Sequence, residues 1–120
     1  MALAKRDLRT SKSLSKDNPD WAFSIAYNSM LQSARALMFS MGYRPFGKAQ
    51  HISAVRFAEA VLSGKAKEII VILDRMRRKR HRVVYDTSGL ISQLEAKKAV
   101  TSAEKFFNLI ENELKKRKLI

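Results

Sequence analysis

The chain has 120 residues, of which 46% are hydrophobic, and we expect residues 1–120 to fold as one domain with its own core. Its formal charge is +13, with 24 Lys and Arg against 11 Asp and Glu, which favours a polyanionic partner. The lack of cysteine excludes disulfides and thiolate-bound metals, and two widely spaced His argue against a histidine metal centre.

The pattern is helical almost throughout, because Gly and Pro are few and stand where helices should end. A short first helix is predicted over residues 3–15. A second helix is predicted over residues 21–41, introduced by Asn18 as a capping side chain, Pro19 at the first helical position and Asp20 facing the helix dipole. Apolar residues cover several sides of this second helix, so it should be central and buried.

Gly42 should end the second helix, and residues 43–47 form the one substantial predicted loop. A third helix is predicted over residues 48–62, after which Ser63 and Gly64 break the pattern.

Two more helices complete the predicted fold. The fourth should start near Lys65 and end at Tyr85, and the fifth should run over residues 90–118 after a turn at residues 86–89. No strand or hairpin signal occurs, so we predict an all-α, antiparallel bundle of about five helices.

A dense group of cations lies at the end of the predicted fourth helix. Six of the eight residues in the basic run (residues 75–82) are Lys or Arg, and the run continues directly from an apolar stretch. This placement favours binding of RNA or DNA, although a charge run of this kind is also typical of a solvated helix face. The residues predicted to bind RNA phosphates are Arg75, Arg77, Arg78, Lys79 and Arg82.

The fourth helix should have two distinct faces. Helical spacing places Arg80 on the same apolar stripe as Met76 and Val83, where an unpaired guanidinium would be costly. Arg80 should therefore meet a carboxylate in the bundle, or line a cleft or subunit interface that can hold an anion. The opposite face should carry Asp74, Arg77, Arg78, His81 and Tyr85.

Three stretches resemble the HEPN domain family of small prokaryotic helical proteins. They are the small and large residues of 26–37, the segment Gly42-Tyr43-Arg44-Pro45 followed by His51 and Phe57, and the segment Arg80-His81-Arg82-Val83-Val84-Tyr85. The resemblance implies a bundle that forms a homodimer through its motif-bearing helices. It also implies metal-independent ribonuclease activity in many members, often in toxin–antitoxin pairs with a minimal nucleotidyltransferase.

The resemblance also suggests catalytic residues. The family motif is an Arg, a small polar residue and, several residues later, a His; here Arg80 and His81 match its start, and Tyr85 occupies the place of the final His. A second alignment pairs Arg75 with His81 but fits the apolar pattern less well. Arg80 suits stabilisation of a phosphorane, His81 could act as base, and Tyr85 is a poor base that could donate a hydrogen bond. For His51, a structural role beside the preceding loop is favoured.

Three functions follow from these residues. The first is RNA binding with metal-independent cleavage by Arg80, His81 and Tyr85, and the alternative is a non-catalytic RNA- or nucleotide-binding module that partners a nucleotidyltransferase. The third, outside the family, is a small basic helical protein that binds nucleic acid through its phosphates alone. No metal or cofactor is expected for either function. No apolar run approaches the roughly 18 residues that span a bilayer, and the N-terminus lacks a signal-peptide core, so we expect a cytoplasmic protein without membrane contact.

Overall fold

The computed structural model describes residues 1–44, 50–85 and 90–120, with the side chains of residues 83–85 left out. In these ranges it contains no strand, and its elements are α1 (Ala2–Leu14), α2 (Pro19–Ser40), α3 (Gln50–Leu62), a 3-10 turn (Ser63–Ala66), α4 (Lys67–Tyr85) and α5 (Gln93–Lys116). The predicted all-α bundle of about five helices is confirmed. Most of the predicted loop 43–47 and the whole turn 86–89 lie outside the described residues.

Helix α2 forms the centre of the bundle, and all four other α-helices pack against it. Its alanines at 22, 26 and 34 are fully buried, and their small side chains let the neighbouring helices approach closely. Ser29 in α2 donates a hydrogen bond of 2.7 Å to the carbonyl of Ala4, which ties α1 to this centre. The prediction of a central, buried second helix is therefore confirmed.

The two ends of α2 differ in how well their predicted caps form. At the C-terminus, Gly42 adopts φ +87°, and the amides of Gly42 and Tyr43 donate to the carbonyls of Phe39 and Met38, as in a Schellman motif. At the N-terminus, Pro19 occupies the first turn as predicted, but the Asn18 side chain makes no capping hydrogen bond. The carboxylate of Asp20 instead accepts a hydrogen bond of 3.1 Å from the amide of Ile91.

Helix α5 begins later than predicted, at Gln93 rather than residue 90. The Ser92 hydroxyl accepts from the Glu95 amide, and the Glu95 carboxylate accepts from the Ser92 amide, which together make a capping box. The same carboxylate forms an ion pair with Lys79 of α4. Among the described residues, no helix has both the length and the apolar character needed to cross a bilayer.

Candidate functional site: an arginine cluster between α2, α3 and α4

The side of α4 that faces α2 carries a cation next to the core. The guanidinium carbon of Arg80 lies 5.3 Å from the centre of the Tyr27 ring, and Tyr27 is only 1% exposed. A contact of this kind stabilises a cation by ~0.5–2 kcal/mol. The Nε atom of Arg80 is buried, and neither it nor the Tyr27 hydroxyl has a hydrogen-bond partner within the described chain.

Arg77 occupies the preceding turn of α4. Its Nε atom is also buried without a hydrogen-bond partner among the described residues, and it lies 3.7 Å from the Oδ1 atom of Asp74. That distance permits an attractive ion pair but exceeds the length of a hydrogen bond. Arg77 and Asp74 each keep 38% of their side-chain surface exposed, so solvent weakens their attraction.

Two titratable neighbours respond to these charges. Burial raises the pKa of Tyr27, against the opposing charges of Arg80, Arg77 and Arg35, so its phenol stays protonated at neutral pH. His51 is exposed in the first turn of α3, but desolvation by the surrounding protein lowers its pKa, and the charges of Arg35, Arg80 and Arg77 lower it further. A neutral imidazole therefore lies within the field of three guanidinium groups.

We call this set of groups the arginine cluster; its members are Tyr27, Arg35, His51, Asp74, Arg77 and Arg80. The cluster contains three guanidinium groups and one carboxylate, and the Asp74 carboxylate lies 3.7 Å from the Nε atom of Arg77. Such an excess of positive charge, partly withdrawn from water, suits an anion with several acceptor oxygens. The described residues include no group of His, Asp and Glu arranged to hold a metal ion.

A family model for the HEPN domain matches residues 1–114 of the 120-residue chain. The chain belongs to the HEPN domain family. This membership ties it to a nucleotide- or RNA-related function. No curated protein and no solved structure matches the chain.

The structure gives Arg80 and His81, two of the three catalytic residues predicted for this HEPN protein, different environments. Arg80 lies in the arginine cluster, whereas His81 is exposed on the next position of α4. Tyr85 is the last residue of α4, and its side chain lies outside the described residues. The predicted explanation for Arg80 was a carboxylate, a cleft or an interface; the contact that the structure shows is with an aromatic ring of the same chain.

The five predicted RNA-binding residues also occupy different environments. Arg75, Arg78 and Arg82 are exposed, as expected for phosphate contacts on a surface. Lys79 is half-buried and forms the ion pair with Glu95, so its charge is already partly neutralised. Arg77 belongs to the arginine cluster. The basic run therefore does not present one uniform surface in this HEPN chain.

Arg77 was predicted on the face opposite the apolar stripe, but it is half-buried with its Nε atom inside the protein, because the buried stripe of α4 is wider than predicted. The helix buries Met76 of the predicted stripe, and it also buries Ile70 and Leu73. Steps of three and four from Ile70 lead through Leu73 to Arg77 and then Arg80. That spacing was present in the sequence, but it cannot by itself show how wide the buried stripe is. His51 was assigned a structural role, and the sequence gives no sign of its three arginine neighbours.

Proposed function

We propose that this HEPN protein binds RNA by holding a phosphodiester at the arginine cluster. The observation that carries the proposal is the pair of buried Nε atoms in Arg77 and Arg80, neither of which has a hydrogen-bond partner among the described residues. A phosphate oxygen offers the missing acceptor and a compensating negative charge, and the fork geometry of arginine fits it well. Arg75, Arg78 and Arg82 are exposed on the same helix and can bind neighbouring phosphates.

Metal-independent cleavage is a second proposed activity, and the lowered pKa of His51 favours it. A neutral imidazole can take the proton of a ribose 2′-hydroxyl, whose oxygen then attacks phosphorus and expels the 5′ oxygen. The expelled oxygen takes up a proton, and a 2′,3′-cyclic phosphate remains on the other fragment. Arg80 and Arg77 would stabilise the charge on the phosphorane. His81 is the alternative base, as the family motif implies, with Tyr85 as a hydrogen-bond donor.

A cleavage assay with labelled RNA and a chelator tests this activity, because the chelator silences contaminating metal-dependent nucleases. Arg80→Gln should abolish cleavage, and Arg78→Gln, which removes the same charge from an exposed neighbour, should leave most of it. His51→Ala should lower the rate by about 10²–10⁴-fold, the usual contribution of a general base. Tyr85→Phe should cost less, because it removes only one hydrogen bond.

The two histidines give distinguishable outcomes. If His51 is the base, the acid limb of kcat/KM lies below pH 6.5, the ordinary pKa of a histidine, because the profile reports the free enzyme. Loss of activity in His81→Ala, with His51→Ala unaffected, would instead favour the base implied by the motif. If wild type binds RNA but cuts none, the non-catalytic binding module is the correct function.

We also propose that the protein forms a homodimer and that it partners a minimal nucleotidyltransferase in a toxin–antitoxin pair. Arg80 no longer requires a subunit interface, because Tyr27 of the same chain already contacts it. The dimer therefore depends on family membership alone. Light scattering at micromolar concentration tests it, and co-purification with a nucleotidyltransferase encoded beside the gene tests the pair.

A further inference from the structure

A groove runs along the other side of α4, where this helix diverges from α5. It consists of two adjoining cavities of about 250 and 360 Å³, which share Ile72 and Ser102 in their walls. Residues of α4 and α5 line the groove at steps of three and four, for example Lys98, Ser102 and Lys105 in α5. The α4–α5 groove therefore follows both helices rather than forming a single local pit.

The floor of the α4–α5 groove is apolar. Phe23, Met76 and Ala99 lie at its base and are almost fully buried, and Ile69 and Ile72 are half-buried above them. The floor is mainly aliphatic, and its one aromatic ring, Phe23, is only 5% exposed. Nucleic-acid bases are held chiefly by stacking on exposed aromatic rings, so this floor suits aliphatic side chains better than bases.

The rim of the groove is strongly cationic. Its charged residues are Lys65, Lys67, Arg75, Lys79, Lys98 and Lys105 against Glu68 and Glu95. Glu95 is already paired with Lys79, which leaves the excess cations facing the groove. A second copy of this chain, with its charge of +13, would bring like charges together along this rim.

We propose that the α4–α5 groove binds an acidic amphipathic helix of a partner protein. Apolar residues on one face of that helix would cover Ile72 and its neighbours, and carboxylates on its flanks would meet the rim cations. The lining of α4 from Lys67 to Lys79 is about 18 Å long, which a helix of about 15 residues covers. The groove contains no member of the arginine cluster and shares only Arg75 with the residues proposed to bind RNA, so the inference does not depend on RNA binding.

A designed peptide tests the groove directly. The probe is a fluorescein-labelled helix of about 15 residues with leucine at steps of three and four and glutamate on both flanks, and the control probe replaces every glutamate by lysine. Anisotropy of the full-length protein should show binding of the acidic probe alone. Lys98→Glu should weaken binding by about tenfold or more, whereas Lys97→Glu, the adjacent exposed position outside the lining, should change it by less than about threefold.

A steric pair of variants separates the groove from general charge attraction. Ser102→Trp fills the groove and should block the probe, while Thr101→Trp, exposed on the neighbouring position, should not. Circular dichroism checks that both variants are folded. Equal effects of Lys97→Glu and Lys98→Glu, or binding that survives Ser102→Trp in a folded protein, would overturn the proposal. So would a single-stranded RNA of about 12 nucleotides that binds wild type but is blocked by Ser102→Trp, because RNA would then be the occupant.

Discussion

The two sides of α4 carry the same kinds of residue but give them different environments. On the side facing α2, Arg77 and Arg80 have buried Nε atoms; Arg77 lies near the Asp74 carboxylate and Arg80 lies over the Tyr27 ring. On the side facing α5, Lys79 is joined to Glu95, and Arg75 is exposed beside an apolar floor. The difference shows that the neighbouring helix, rather than the number of cations, sets the environment of each charge in the basic run.

The physical basis of this difference is desolvation. A guanidinium nitrogen that loses water without gaining an acceptor is destabilising, and the contact with the Tyr27 ring offsets only part of this destabilisation. An anion bound at the arginine cluster would offset the remainder. The α4–α5 groove has the opposite character, because its apolar floor favours a partner that brings hydrophobic surface together with negative charge.

Leu73 is more deeply buried than the other described residues of α4, so its truncation should have the largest effect on stability. Leu73 is 0% exposed, and Leu73→Ala should lower the free energy of unfolding by about 2–5 kcal/mol. Ile72→Ala is the matched control on the groove side and should cost clearly less, because Ile72 is only half-buried. Urea unfolding measures both variants. Equal losses in the free energy of unfolding would mean that packing on the groove side stabilises α4 as much as packing in the core.

Tyr27 should contribute through its ring and not through its hydroxyl. Tyr27→Leu removes the cation–π contact with Arg80 and should lose ~0.5–2 kcal/mol beyond the change in packing. Tyr27→Phe should be neutral or slightly stabilising, because the buried hydroxyl has no hydrogen-bond partner in the described chain. A double-mutant cycle with Arg80→Met measures the coupling in urea. A large loss in Tyr27→Phe would show that the hydroxyl has a partner after all.

The ion pair on the groove side should give a small dependence of stability on pH. The hydrogen bond from Lys79 lowers the pKa of Glu95, so its stabilisation is present above the unfolded pKa and is lost as pH falls through the lower folded pKa. Lys79 and Glu95 are 36% and 40% exposed, which limits the effect to about 1 kcal/mol or less. Lys79→Met should flatten the stability profile below about pH 4.5, as measured by urea unfolding at several pH values. An unchanged profile would exclude this contribution.

Local signals allowed most of the fold to be predicted. Gly42 and Pro19 ended and began α2 as expected, because the conformations of these residues are set by their own chemistry. The start of α5 was placed too early, although Ser92 and Glu95 stand at the spacing of a capping box. The capping-box spacing, rather than the turn residues before it, marks where α5 begins.

The candidate site was less predictable, because it depends on which helices meet. The sequence showed that Arg80 lies on an apolar line and needs a partner, but it could not show that Tyr27 on α2 is that partner. The same limit applies to His51 and the arginines that are far from it in sequence but influence its pKa, and to the ion pair between Lys79 and Glu95. Helical periodicity shows which residues share a face of one helix. A site between helices also depends on how several helices are rotated relative to one another, which periodicity does not show.

RNA affinity of two matched variants tests most directly whether the anion site lies at the arginine cluster. Arg80→Gln and Arg75→Gln each remove one positive charge from α4. Each should make the slope of the logarithm of the binding constant against the logarithm of salt concentration shallower by about 0.7. Arg80→Gln should in addition weaken binding of a single-stranded RNA by about 10–100-fold, because it removes charge-assisted hydrogen bonds from a partly buried site. Arg75→Gln should weaken it much less. Equal losses in the two variants would contradict the account and would mean that RNA is attracted only by the overall charge of the basic run.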